Sequence, residues 1–304
     1  MKKKLKFAIV TNEITANSQD LVSEIKKRGC GVEYLNIDYC QIDEKGNNFF
    51  LVNQNNQEAN LNDFDIFLWR GANIDTSIRQ SFANWIIGHK KIFIENVWAQ
   101  KNWTHLKYKQ VELFSENKIP FPKTLFINNF DLEPGLIFSK LKNSLNLPFI
   151  VKPISGAKGK DIYLIKDQEG FGKLSKIIKN KKYIFQEHIP NDGDFRALVV
   201  NFKFIGAFKR IPKKGDFRSN ISLGGTGKRI LPDKQIIDIA IKTAKAIGIA
   251  ILGVDIIQNN KTGKYYVLET NGIPQWQGFK KATDINVAEK IIDYCISLYR
   301  KITV

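Results

Sequence analysis

Cysteine is scarce. The 304 residues include three, Cys30, Cys40 and Cys295, widely scattered and without C-x-x-C spacing. Such an odd, dispersed set argues against a disulfide framework or a zinc site. No stretch approaches the roughly 18 consecutive apolar residues of a membrane span. The opening, MKKKLKFAIVTNEI, is basic, but its apolar run is short and lacks a small-residue cleavage site, so it reads as a first strand rather than a signal peptide. These absences predict a cytoplasmic protein with no membrane partner. Internal repeats, low-complexity tracts and long linkers are missing too. So are the phosphate-binding patterns GxxxxGK[ST] and GxGxxG. His89 and His105 sit at no ligand or triad spacing and read as surface or packing residues.

Acidic residues are outnumbered, 30 against 47 Lys plus Arg, giving a formal charge of +17. That field attracts polyanions such as nucleic acid, nucleotide or acidic peptide. The lysines are spread along the whole chain, however, so a lysine-rich composition explains the charge equally well. Hydrophobic residues at 43% and charged residues at 25% describe an ordinary globular chain, long enough for two or three sub-domains.

Apolar runs alternate with amphipathic stretches. Strands are predicted at KFAIV (6–10), VEYLNI (32–37), DIFLWRG (65–71) and KIFIE (91–95), with helices at 18–28 and 75–88. This rhythm predicts an α/β unit with a parallel sheet over 1–100. A helix over 104–117 stops before IPFPKT, where two prolines oppose it. PFIVKP (148–153), a Gly-rich turn, DIYLIKD (161–167), a helix and YIFQEHI (183–189) predict an α+β lobe over 101–187. A hairpin of FRALVV and FKFIGAFKRI, a helix (233–247), the strands ILGVDIIQ and KYYVLETN and a closing helix (284–300) predict a last lobe over 188–304.

Two groups of residues point to chemistry. In LGVDIIQ and YYVLETN, a carboxylate inside a strand costs several kcal/mol, on the order of 2–7, unless it is paired or metal-bound. Asp255, Glu269 and Asn271 nevertheless sit there, and Glu269 and Asn271, two apart, share a face. Three such oxygens suit Mg²⁺ or Mn²⁺; exposed carboxylates at strand ends are the alternative. IVKPISGAKGKD places Lys152 at a strand end before Gly156 and Gly159, whose backbone can approach a phosphate closely. GDFRSNISLGGTG lines up Arg218, Ser219 and Asn220 before Gly224 and Gly225, an unusual concentration of donors for a solvent loop.

In order, the lysine with its Gly turn, FQEHI, DFR, RSN…GG and D…ExN resemble the ATP-grasp fold, and within it the RimK-like ligases that add glutamate to a carboxylate. The resemblance is dense from Lys107 to Ala288. It implies an N-terminal α/β domain followed by two α+β lobes that sandwich ATP. It also implies that Lys107 contacts nucleotide (Lys109 is a rival two residues on) and that Lys152 reaches the phosphates under the turn of Ser155, Gly156 and Gly159. Glu187 and His188 would hold the adenine edge through backbone groups, with Ile189 on the ring and Asp194 near the ribose, unless Asp194 is only a turn residue. Arg218, Ser219 and Asn220 would hold nucleotide and phosphate, joined by Arg210, with Arg218, Asn220, Lys152 and Arg210 serving catalysis. Asp255, Glu269 and Asn271 would bind Mg²⁺ or Mn²⁺, two ions by the family pattern.

His188 replaces a common aromatic, and the loop carries extra lysines. QWQGF sets Trp276 either at the substrate mouth or in the core. The implied activity is an ATP-dependent, ADP-forming carboxylate–amine ligase working through an acyl phosphate, with no covalent protein nucleophile. Its partners would be ATP, an amino acid (glutamate foremost) and a carboxylate acceptor that is a peptide, a protein tail or a small molecule, in a homo-oligomer. Alternatives are a peptide-modifying enzyme making side-chain ester or amide links, and, from another class, a basic nucleic-acid-binding protein.

Overall fold

A computed structural model describes residues 4–46, 48–71, 74–101, 105–127, 133–156, 160–178, 182–213, 215–216, 218–219 and 224–303. The first sheet draws on β1 (Lys6–Thr11), β2 (Gly31–Ile42), β3 (Phe49–Asn53), β4 (Ile66–Trp69) and β5 (Ile92–Phe93), with helices α1 (Ala16–Lys27) and α2 (Thr76–Gly88). Its order is β3-β2-β1-β4-β5. The expected parallel sheet is a mixed one. β1, β2, β4 and β5 run parallel, but β2 extends beyond 32–37 and folds back on β3 as an antiparallel pair. KIFIE is strand only at Ile92–Phe93, because Glu95 already caps a one-turn helix, Asn96–Ala99.

The middle elements are α3 (Lys107–Glu116), β6 (Thr124–Phe126), α4 (Pro134–Leu145), β7 (Phe149–Pro153), β8 (Tyr163–Ile165), α5 (Gln168–Ile178) and β9 (Tyr183–Glu187), with sheet order β6-β9-β7-β8. β6 and α4 were not expected. Along α4, Ile137, Phe138, Leu141 and Leu145 form one buried stripe after a proline in its first turn. They join Phe149, Val151, Phe171 and Phe185 in a core of their own.

The last elements are β10 (Asp194–Val200), β11 (Lys203–Ile211), β12 (Thr226–Arg229), α6 (Lys234–Ile247), β13 (Ile251–Gln258), β14 (Tyr265–Asn271), α7 (Gln277–Thr283) and α8 (Val287–Thr303). Their sheet order is β12-β11-β10-β13-β14, antiparallel throughout. β10 and β11 turn through Asn201 and Phe202, both with positive φ (53° and 55°), the backbone that a tight two-residue hairpin needs. The closing helix starts later than 284, since Asp284 caps α7 in the left-handed conformation.

Strand alternation gives this last sheet two unlike faces. Phe195, Ala197, Val199, Leu252 and Val254 pack with Ala240, Ala244 and Ile247 of α6. On the other face Leu198, Val200 and Ile251 pack with Trp276, Phe279 and Val287. Further along that second face the residues turn polar, and the candidate site begins there. Both of these cores also contain residues of the first sheet, Ala8 and Val10 in one, Phe7 and Ile9 in the other.

Candidate nucleotide site

Pairing register explains how the charges meet. On β10, Asp194 and Arg196 are two apart and share a face. Arg196 lies opposite Asp255 of β13, and Asp194 opposite Arg210 of β11. Asp255 in turn faces Glu269 of β14, and Gly253 faces Asn271. A row of charged residues therefore crosses four strands, ending in two neighbouring carboxylates, Asp255 and Glu269. The register shifts after Asp255, leaving Leu268 as an extra residue on β14. Such a bulge re-aims side chains, and both Leu268 and Glu269 line the cleft.

That cleft, open to solvent, spans about 750 Å³ between the middle sheet and the last one. From β7 come Ile150 and Lys152, alternate residues on the face opposite Phe149 and Val151. Glu187 at the end of β9 and His188 and Ile189 just after it follow; the last sheet adds Asp194, Arg210, Asp255, Ile257 and Glu269; and Arg218 and Ser219 complete the lining.

The basic wall is held in place by polar contacts. Lys152, buried, donates to the Leu268 carbonyl at 3.3 Å. Burial pushes its ammonium down to about 8; Lys107 adds to the shift, and Glu269 and Asp255 oppose it. Lys107, also buried, lies 3.6 Å from Glu269 and 3.4 Å from the Gly156 carbonyl. Lys109 faces Glu112 at 2.7 Å instead, so Lys107 is the residue of this pair that reaches the site. Arg210 grips Asp194 through Nε and Nη2, at 2.5 and 2.7 Å, and reaches Asp255 at 2.9 Å. Although burial works against its charge, Asp255 and Asp194 hold Arg210 above the ordinary range. Arg218 makes a bidentate contact with Asp216 at 3.1 and 2.9 Å, which raises it further.

Asp194 was expected at a ribose, but both its oxygens go to Arg210. His188 is half-buried, and burial pushes its imidazole down. Ser155 and Gly156 are exposed beyond the end of β7, and Gly159 and Asn220 lie outside the described residues. Trp276 is fully buried, its Nε1 donating to Asp20 at 3.3 Å, so it belongs to the core and not to a substrate mouth. Arg196 was missed, although its spacing from Asp194 gave the signal. Its Nε approaches Asp255 Oδ1 to 2.5 Å and its Nη2 donates to Oδ2 at 3.1 Å.

On the acidic wall, desolvation works against the Glu269 charge, but Lys107, Lys152, Arg196 and Arg210 hold its carboxyl below the ordinary range. Asp255 Oδ1 is buried and accepts no aligned hydrogen bond. With Glu269 directly across the ladder and Asn271 two residues on, Asp255, although its Oδ1 lies 2.5 Å from Arg196 Nε, would supply one of two carboxylates beside an amide. That chemistry fits Mg²⁺ or Mn²⁺, whose remaining positions go to phosphate and water.

Comparisons with known proteins place this geometry. A family model described as the RimK-like ATP-grasp domain matches residues 104–295. A probable alpha-L-glutamate ligase of Legionella pneumophila (strain Corby) is 32% identical over 192 residues, 62% of this chain and 62% of that protein. The chain thus spans less than two thirds of the length of the curated relatives it matches. The ATP-grasp ligase PsnB, solved with minimal precursor, Mg and ADP, matches at a TM-score of 0.70 and 16% identity, over 97% of this chain and 98% of that one. Macrocyclase MdnC of Microcystis aeruginosa MRC, bound with precursor peptide MdnA, matches at 0.72 and 14%, over 97% and 100%. At those identities the likeness is one of fold. With the family match covering well over half of its residues, the chain belongs to the RimK-like ATP-grasp family.

Proposed function

We propose that this protein is an ATP-dependent ligase joining a carboxylate to an amine through an acyl phosphate, with glutamate foremost among incoming amines. One observation carries the reading: a single cleft sets Lys152, Arg210 and Arg218 against Asp255 and Glu269. Ile150 and Ile162 on one side and Ile189, Ile257 and Leu268 on the other leave a flat apolar slot that suits adenine. Backbone groups of 187–189 lie at its edge, and the triphosphate points toward Lys152, Arg210, Arg218 and Ser219. Asp194 acts by holding Arg210 in place. The glutamate ligase name of the Legionella relative supports the choice of amino acid.

The acceptor carboxylate and the γ-phosphate are both anions, and their repulsion opposes attack. A unit charge pair near 4 Å contributes about 4 kcal/mol at an effective dielectric of 20. Lys152 and Arg218 can therefore offset much of that repulsion. Mg²⁺ or Mn²⁺, held by Asp255, Glu269 and Asn271, would supply further charge neutralisation and in-line orientation of the phosphates. As the carboxylate oxygen bonds to phosphorus, the bond to ADP breaks. The amine then bonds to the acyl carbon, phosphate leaves, and the amine loses a proton.

The test is an ADP-release screen of the twenty amino acids against small carboxylates and acidic peptides, in Mg²⁺ and in Mn²⁺. The peptide arm is included because the fold matches the ATP-grasp ligase PsnB and the macrocyclase MdnC, each solved with a precursor peptide. The expected products are ADP and phosphate with a new amide bond. AMP and pyrophosphate would exclude the acyl phosphate. DNA binding with a steep salt dependence and no ATP turnover would return the chain to the nucleic-acid class.

A further inference from the structure

In the first sheet β1 and β4 lie side by side and parallel, with β2 beyond one and β5 beyond the other. The crevice at the carboxyl ends of two such strands is where open α/β sheets bind ligands. The sequence puts Arg70 immediately after β4 and Arg79 in the first turn of α2. Each arginine is only 8% exposed. Arg70 donates through Nη2 to the Pro274 carbonyl at 2.8 Å and lies 4.7 Å from the centre of the Trp276 ring. Arg79 sits 4.1 Å from the Trp98 ring, and its Nε and Nη2 are buried without a hydrogen-bond acceptor.

The charge count here does not close. Among the described residues the carboxylate acting on both guanidinium groups is Glu95. Both its oxygens are already occupied, by the backbone N–H groups of Ala250 at 3.0 Å and Ile251 at 2.8 Å. Two buried cations thus share at most one negative charge, and two donors of Arg79 go unused. An unpaired buried donor is costly, on the order of 1–3 kcal/mol, and an unbalanced buried charge more so. A missing anion resolves both. Its place borders the metal strands: Trp98 lies 3.1 Å from where a Cβ on Gly272 would sit, next to Asn271, and Pro274 is two residues further on.

We propose that Arg79 is the centre of a second anion site, outside the nucleotide cleft, that holds a carboxylate of one of the two substrates near the Asn271 end of β14. The proposal rests on the ligase reading above. A carboxylate is the chemistry shared by the incoming amino acid and the acceptor, and kinetics separate the two sources.

The experiment compares wild type with Arg79→Met, which keeps the stack on Trp98 without the charge, and Arg79→Lys. In ADP-release assays Arg79→Met raises the KM of one carboxylate substrate about 10- to 100-fold, the effect of losing charge-assisted hydrogen bonds. The KM for ATP stays unchanged, Arg79→Lys recovers part of the loss, and the ligand-free melting temperature does not fall. Whichever substrate shows the raised KM is the source. Unchanged KM values for both carboxylate substrates overturn the site. So does a lowered ligand-free melting temperature with all KM values rising together, the mark of a structural arginine. If wild type turns over no substrate, the ligase reading fails separately, and tryptophan fluorescence then decides the anion site. L-glutamate or inorganic phosphate perturbs the emission in wild type and not in Arg79→Met if the site exists. No response in wild type to either probe sinks it.

Discussion

Lys152 is 5% exposed and donates a hydrogen bond to the Leu268 carbonyl. A lysine pushed from 10.5 to about 8, chiefly by burial, carries its charge at neutral pH against a net cost of roughly 3 kcal/mol. In the ligand-free protein that is a strain; with a phosphate beside it, it becomes binding energy. Lys152→Met should therefore raise the ligand-free stability by about 1–3 kcal/mol, part of the gain being lost because Glu269 loses one of the four cations that hold its charge. The same change should weaken Mg·ADP binding about 10- to 100-fold. Thermal unfolding with and without Mg·ADP, together with calorimetric titration, reads both effects. A variant that is less stable yet binds nucleotide as tightly would remove Lys152 from the phosphate site. Lys152 was legible in the sequence because it stands at a strand end just before the turn of Gly156 and Gly159. Glu95 was not, because its partners Ala250 and Ile251 lie 155 and 156 residues away.

At the scale of elements, the site depends on how closely β10, β13 and β14 approach one another. Gly253 is the residue that permits it. A Cβ there would come within 2.8 Å of Arg196 Nη1 and 3.2 Å of Pro274 Cβ. Arg196 has little room to retreat, since Asp255 holds it on the other side. Gly253→Ala should destabilise the fold by about 1–3 kcal/mol. It should also shift the Mg²⁺ dependence of ADP release to higher concentrations, because Asp255 follows Arg196. Urea unfolding and a Mg²⁺ titration check it, and an unchanged Mg²⁺ midpoint would separate Arg196 from the metal strands. β13 and β14 could be read from sequence because both are rich in β-branched and aromatic residues. β12 could not: Thr226, Gly227, Lys228 and Arg229 are all exposed and leave no pattern. β6 is only three residues long beside Pro122, too short for a period to show. The α4 stripe was present in the sequence behind Pro134, and a proline in the first turn is compatible with a helix.

Across the whole molecule, the first and last sheets share two cores while the middle sheet has its own. The nucleotide cleft therefore opens between one body built from both ends of the chain and a separately packed middle lobe. Glu95 ties that larger body together, joining the edge of the first sheet to the start of β13. Burial pushes its carboxyl up to about 8 despite two backbone hydrogen bonds, Arg70 and Arg79. Tyr294 and Cys295 of α8 lie close enough to feel its charge. Between the ordinary value of 4.5 and about 8, the folded chain keeps a proton that the unfolded chain releases. Stability from this group is therefore complete below that window and lost as pH rises through it, by up to about 4–5 kcal/mol. Glu95→Gln keeps the shape and cannot ionise, so the stability difference between wild type and variant should shrink steadily from pH 5 to pH 8. Chemical unfolding across that range measures the difference directly. Parallel curves would mean that Arg70 and Arg79 keep Glu95 ionised throughout, and that the tie between the two ends of the chain is an ion cluster rather than a protonated buried acid.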